Sequence, residues 1–385
     1  MGPTVLHLRS ETKALEHRSL LSPTAVWKLV EAGYKVNVER STGRCFQDRE
    51  YESAGAVLIP ERSWHTAPVE HIILGLKELP EDDFPLKHAH IYFGHCYKNQ
   101  LGWEKILSRF KAGGGALLDL EFLLDESGKP MAPSGYYAGY AGAALALKAW
   151  GHQMTHPTGP PLPSVSPYQS NESLLDDVAT SLSAGAEFGR LPRIIVIGAK
   201  GHCGKGAVDL CVKAGIPASD ILQWTRAETQ KGGPFVEVIE NDILVNCIYL
   251  EKPIPPFLDF ESLESPSRNL SVISDVSCDV GDNRNPIPLY SKHTTFNEPT
   301  MRIPVAHGKP LSVISIDHLP SLLPQQATEA CSNIILPCLL QLAERHRTKV
   351  WKFVDHLFQE KIAMLPEAVG ITSACDRHKS ATVTV

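Results

Sequence analysis

Short apolar runs separated by longer mixed stretches recur along the first 130 residues. Val5–Leu8, Lys35–Val38, Val57–Ile59, Ile72–Gly75, His90–Phe93 and Ala116–Asp119 read as strands, with helices at Pro23–Ala32 and Trp103–Ala112 between them. Strands and helices alternating at this spacing predict a parallel α/β sheet. Gly113–Gly114–Gly115 closes one helix before the next strand. Residues 135–150, GYYAGYAGAALALKAW, are small and helix-prone, and predict a buried helix connecting two domains. The Pro-, Ser- and Thr-dense segment from His156 to Tyr168 predicts a surface loop. A second α/β set starts at Arg193, with strands at Ile194–Ile197, Ile221–Trp224, Ile243–Asn246, Val272–Asp275 and Val313–Ile316. Asp317–His346 reads as helical, Trp351–Ile362 as an amphipathic helix, and the rest as a polar tail.

A length of 385 residues favours two domains. The net charge of −6 and the absence of a long Lys/Arg run argue against a nucleic-acid face. No apolar stretch approaches the roughly 20 residues that cross a bilayer, and the start has no charged-then-apolar signal, so a cytoplasmic location is expected. The nine cysteines form no CxxC pair, which argues against a zinc site, and no metal is expected.

The run RIIVIGAKGHCGKGA, Arg193–Ala207, carries the strongest chemical signal. A β-branched strand enters Gly198, Gly201 and Gly204, and a helix comes next. Glycine at these steps lets the backbone approach a pyrophosphate, which the amides of the helix start then hold. In the first half, ionisable residues lie just past three successive strands. Lys77 and Glu78 come after the first, His95 and Lys98 after the second, and Glu121 after the third. Ligands of open α/β sheets bind beyond such carboxyl ends. Lys, His and Glu delivered to one edge suit proton transfer beside a hydride transfer, with Lys77 as base if its charge is disfavoured. Arg9 and Arg18, near the first strand, are candidate holders of substrate carboxylates.

The stretches LHLRSETK, IILGLKE, HIYFGHCYKNQLGW, LLDLEFL, VIGAKGHCGKGAVDL, KGGPF, NCIYLEKPIPPF and LSVISIDHLPSLLP keep the order and spacing of a known family. The chain resembles fungal saccharopine dehydrogenase of the L-lysine-forming type over nearly all of residues 4–350. The resemblance implies two Rossmann-like domains, residues 1–134 with 325–385 and residues 135–324, and an active site in the cleft between them. It implies oxidation of saccharopine with a nicotinamide dinucleotide and water to lysine and 2-oxoglutarate, through an imine, by a monomer acting on a small-molecule amino acid and 2-oxo acid. Lys77 resembles the general base and His95 the second acid/base, tuned by Glu78 and Glu121. Arg18, Lys98, Gln100, Ser277, Cys278 and Asp279 match substrate-side positions. Gly201, Tyr249, Val276, Asp317, His318 and Leu319 match cofactor-contacting positions. Cys203 and Cys247 match a pair that the family can hold as a disulfide.

The chain also departs from that pattern. Lys129 and Pro130 stand where the family has two Arg, and Ser134 where it has an aromatic substrate-side residue. An amino acid joined to a 2-oxo acid or another carbonyl compound by reductive amination is therefore the expected chemistry. Authentic lysine-pathway turnover is the alternative, and a non-catalytic nucleotide-binding regulator the rival of another class. His202 replaces an Arg in the nucleotide turn. Thr225, with Arg226 after it, replaces the acid expected at the end of the second strand, and Thr229 lies nearby. Without that acid, and with Lys200, Lys205 and Lys231 close in sequence, NADP(H) is expected over NAD(H).

Overall fold

A computed structural model of the chain describes residues 2–80, 82–98, 100, 102–131, 133–187, 189–250, 252–278, 280 and 284–366. It divides into two compact units, Met1–Ala132 with Cys331–Val385, and Pro133–Ala330.

The first unit is built on β1 (Val5–Leu8), β2 (Lys35–Glu39), β3 (Val57–Ile59), β4 (Ile72–Leu74), β5 (Ala89–Tyr92) and β6 (Ala116–Asp119). All run parallel, in the order β3-β2-β1-β4-β5-β6. The chain works outward from β1 in one direction and returns to start again at β4, so the topological switch point lies between these two strands. Helices α1 (Pro23–Glu31), α2 (Asp48–Ser53) and α3 (Trp103–Gly113) connect them. Helix α1 starts where Ser22 accepts the Ala25 N–H and Pro23 needs no donor.

The second unit opens with α4 (Gly135–Thr155) and α5 (Asn171–Ala186). Its sheet holds β7 (Ile194–Ile197), β8 (Ile221–Trp224), β9 (Ile243–Asn246), β10 (Val272–Asp275), β11 (Met301–Ile303) and β12 (Leu311–Ile314), in the order β11-β12-β10-β9-β7-β8. All pairs are parallel except β11 with β12. Helices α6 (His202–Lys213), α7 (Arg226–Thr229) and α8 (Val236–Glu240) lie between the strands. The switch point here is between β7 and β9. Helix α4 is more than a connector, because it packs backbone-close on α6. A Cβ on Gly139 would stand 1.9 Å from the Cys203 carbonyl oxygen, and one on Gly206 1.9 Å from that of Tyr136. No other residue allows that approach.

From Cys331 the chain rejoins the first unit. Cys331, Ile335, Leu339, Leu342, Trp351 and Val354 join the core that covers β1 and β2. The predicted helix Asp317–His346 is shorter than expected. Residues Leu319–Leu322 form a 3₁₀ turn, and α9 (Pro324–Leu339) starts at a proline, since neither Pro320 nor Pro324 can donate to a preceding turn. Helix α10 (Lys349–Ala363) comes next, and the polar tail lies outside the described residues. The predicted strand Val313–Ile316 begins two residues earlier, at Leu311, where the ladder to β10 and β11 is made. No helix among the described residues is long and apolar enough to cross a membrane.

Candidate active site and dinucleotide turn

In the first unit, Arg9 leaves the end of β1 and Lys77 lies just past β4, so the two flank the switch point. The Arg9 N–H donates to the Leu74 carbonyl (2.9 Å), which fastens the strand ends together. Glu11, a residue that sequence reasoning missed, then grips the Lys77 backbone. Its carboxylate accepts the N–H of Leu76 (2.7 Å) and of Lys77 (3.0 Å), and it pairs with Arg9 at 3.3 Å. The Arg9 guanidinium also donates to the Lys77 carbonyl. The backbone of Lys77, a residue only 7% exposed, is thus held from both sides by a buried ion pair. Burial raises the Glu11 pKa, while Arg9 and the two amides oppose the rise. No local pattern marks Glu11, because the two amides it accepts from are 65 and 66 positions away.

Strands β4, β5 and β6 are adjacent, so the loops that leave their carboxyl ends all reach one edge of the sheet. His95 Nδ1 bonds Glu78 Oε1. Burial disfavours a charged His95 ring, but the Glu78 carboxylate outweighs it and raises the pKa above its ordinary value. Burial would raise Glu78, yet the His95 contact holds it down to about 2. Lys98 Nζ pairs with Glu121 at 2.6 Å, and the Gln100 side-chain oxygen accepts the Lys98 N–H at 2.8 Å. His95 takes a left-handed backbone (φ 46°), rare for a residue with a Cβ. Gly94 beside it has no room for a side chain, since a Cβ would lie 2.7 Å from Leu117. Fully buried Asp119 steadies this turn by accepting the N–H of Gly94 (3.2 Å) and Glu121 (3.0 Å). Burial drives its pKa up to about 7 against those donors.

Arg18, expected to meet substrate, is gripped by Glu16 through two bonds of 2.8 and 2.7 Å. Lys129 and Pro130 are exposed on a tight turn closed by Asp125, whose carboxylate accepts the Lys129 N–H at 2.9 Å.

In the second unit, β7 runs into Gly198 with φ 83°, a conformation suited to glycine. A Cβ there would strike Ile248 at 2.5 Å, and one on Gly204 would lie 2.1 Å from the Gly198 carbonyl oxygen. Gly201 caps α6 without any side-chain bond, and His202 begins the helix. Strand, glycine turn and free helix start therefore converge at the β7/β9 switch point, an arrangement that fits a dinucleotide pyrophosphate. Cys247, after β9, meets Cys203, in the first turn of α6, through a thiol hydrogen bond. Both are free thiols here rather than a disulfide.

The other second-unit residues gather nearby. Val276 N–H donates to the Asn246 carbonyl (3.0 Å), and Ser277 Oγ donates to that of Ile248. Cys278 is buried and left-handed (φ 50°), and its N–H donates to Asp275 (3.3 Å). Tyr290 and Asn246 also bond Asp275, at 2.6 and 2.9 Å. Val276 and Leu319 both pack on α4 at Gly142. His318 Nδ1 bonds Asp317 (2.7 Å), while its buried Nε2 has no hydrogen-bond partner among the described residues. Tyr249 is exposed under the Arg284 guanidinium. Ser134 precedes α4 and makes no cap bond. Asp279 lies outside the described residues.

Thr225 differs most from expectation. Its N–H (2.5 Å) and hydroxyl (2.8 Å) both donate to Glu228 Oε2, and Thr229 Oγ1 donates to the Thr225 carbonyl (3.2 Å). A carboxylate does stand at the end of β8, supplied from three residues beyond the expected position. Among the described residues no group of three or more His, Cys, Asp or Glu side chains could hold a metal ion.

Two mostly parallel switch-point sheets, one ending in paired ionisable side chains and one in a glycine turn, define a Rossmann-type oxidoreductase. The family model "Alanine dehydrogenase/PNT, N-terminal domain" matches residues 7–141. The solved structure of an L-alanine dehydrogenase superposes with a TM-score of 0.65 at 18% identity, covering 93% of this chain and 94% of that one, and shows the fold. "Saccharopine dehydrogenase [NAD(+), L-lysine-forming]" from Neurospora crassa is 56% identical, across 96% of this chain and 99% of its own. The protein of the same description from Emericella nidulans is 55% identical, across 95% and 100%. The chain belongs to the fungal saccharopine dehydrogenase family, imine-reducing oxidoreductases that act on CH–NH bonds. The expected preference for NADP(H) is overturned, because these relatives are described as NAD(+) enzymes. A carboxylate, that of Glu228, stands at the end of β8 where the sequence has no acid at Thr225.

Proposed function

We propose that the protein catalyses the reversible oxidation of saccharopine by NAD and water, giving lysine, 2-oxoglutarate and NADH, as a monomer in the cytoplasm. The observation that carries this reading is the grip of Arg9 and Glu11 on Lys77 at one switch point, beside the Glu78–His95 pair. The bound nicotinamide supplies or accepts hydride. The glycine turn and the start of α6 would hold its pyrophosphate. In the oxidative direction Lys77 takes the proton of the secondary amine as the C–N bond is oxidised to an imine. His95 removes a proton from the water that adds to the imine carbon, and returns one to the departing lysine nitrogen. Glu78 steadies the charge on His95 as it gains that proton. Lys98 and Gln100 are the substrate-side donors, with Glu121 limiting the free charge on Lys98.

Pro130 favours a second, narrower reading of the carbonyl side. It offers no donor where the family resemblance implies Arg, so a partner with a single carboxylate suits the site. Saccharopine oxidation with NAD, monitored by NADH absorbance, tests the first reading, and absence of turnover would refute it. Reductive amination with lysine and NADH, comparing 2-oxoglutarate with monocarboxylic 2-oxo acids, tests the second. A strong preference for 2-oxoglutarate would remove it.

A further inference from the structure

We propose that Glu228 is the residue that selects a ribose 2′-hydroxyl over a 2′-phosphate in this chain. The inference rests on the dinucleotide reading of the glycine turn and adds a specificity residue to it.

The end of β8 is tied to that turn. The Trp224 carbonyl accepts the N–H of both Gly198 (2.9 Å) and Ala199 (3.0 Å). The residues just past Trp224 therefore stand beside the nucleotide turn. Thr225, the next residue, is not available to a ribose. Its hydroxyl donates to Glu228 and accepts the Ala227 N–H at 3.3 Å. Its N–H donates to Glu228 as well. Both Thr225 bonds fall on Glu228 Oε2, which draws the carboxylate back over the strand end. The Thr225 N–H and hydroxyl lower the Glu228 pKa, and Lys200 of the glycine turn adds to the effect, so the group stays ionised at neutral pH.

An ionised carboxylate in this place accepts hydrogen bonds from a ribose diol and repels a phosphate, which carries close to two negative charges near neutral pH. The nearby cations do not reverse the sign. Arg226 is exposed, and Lys231 lies over the Phe235 ring, 5.7 Å from its centroid. The usual acid of such sites lies at the strand end itself. Here a threonine occupies that position and tethers an acid from one helical turn further on.

The test uses the full chain and direct binding, without turnover. Kd values for NADH and NADPH are measured by quenching of tryptophan fluorescence, for the wild type and for Glu228→Gln. Glutamine keeps an oxygen acceptor for Thr225 and removes the charge. The wild type is expected to bind NADH more tightly. In Glu228→Gln the ratio Kd(NADPH)/Kd(NADH) should fall by about tenfold, mainly through tighter NADPH, and the change should shrink with added salt. Thr225→Val, which keeps the charge and removes one tether, should move the ratio the same way by less. An unchanged ratio in Glu228→Gln, with NADH still bound, would overturn the assignment of Glu228 alone. Failure of the wild type to bind either dinucleotide would overturn the nucleotide reading and this proposal with it.

Discussion

The two units share a mostly parallel sheet with a switch point, differ in strand order, and furnish that frame differently. In each, the candidate site residues lie beyond the carboxyl ends of the parallel strands. In the first unit those ends carry charges in pairs, Arg9 with Glu11, Arg18 with Glu16, His95 with Glu78 and Lys98 with Glu121. In the second the main contribution is backbone: a glycine turn, an uncapped helix start, and polar side chains that shape loops. Proton transfer needs groups whose charge can change, whereas holding a pyrophosphate needs fixed N–H donors and close approach. Substitutions in the first unit should therefore act on turnover, and substitutions in the second on dinucleotide affinity.

The largest separation is expected from Lys77→Met. Removing a general base should lower kcat by about 100- to 10,000-fold, while the Kd for NADH stays within a factor of about two. A parallel rise in that Kd would break the division between the units. Gly198→Ala should do the converse. The added methyl meets Ile248 in a left-handed backbone, so the Kd for NADH should rise and stability fall by about 1–3 kcal/mol, read as a lower Tm.

Glu11→Gln sharpens the comparison inside the first unit. It leaves an acceptor for only one of the Leu76 and Lys77 amides, turns an NH2 group toward the other, and strands the Arg9 charge. An interaction of a few kcal/mol is at stake when one partner of a buried pair is lost, and kcat should fall about tenfold with KM for NAD unchanged. A rise in KM for NAD instead would show that Glu11 does not act through Lys77.

The smallest effect belongs to the Glu78–His95 pair. The His95 pKa is raised, so its stabilisation is complete below about 6.5 and is lost as pH rises through the folded value. The Glu78 pKa is lowered, so its stabilisation is complete above about 4.5 and lost as pH falls toward about 2. The Tm difference between wild type and Glu78→Gln should thus be greatest between pH about 4.5 and 6.5. Both side chains are a third or more exposed, so it should correspond to less than about 1 kcal/mol. A difference that grows above that window would contradict the pairing.

The strand positions were legible because short β-branched runs and glycine closures are local signals. The grouping of ionisable side chains at the β4–β6 edge was legible too, since these residues lie directly after their strands. The features that the pattern hid depend on contacts between distant or offset residues. Helix α5, with Ser170 as its cap, and the antiparallel β11 carry weak local signals, and neither was anticipated. Glu11 matters only because β1 and β4 pair across 65 intervening positions. Glu228 is inconspicuous in the sequence because a strand-end acid is expected at Thr225, whereas the fold brings the carboxylate back by hydrogen bonding.

The most direct test of the central claim is the pH profile of kcat/KM for saccharopine with NAD, measured for the wild type and for Lys77→Met. A bell is expected for the wild type, with one limb lost and the rate greatly reduced in the variant. A variant that kept both limbs and wild-type turnover would contradict the assignment of Lys77 as the base and of the first unit as the place where protons move.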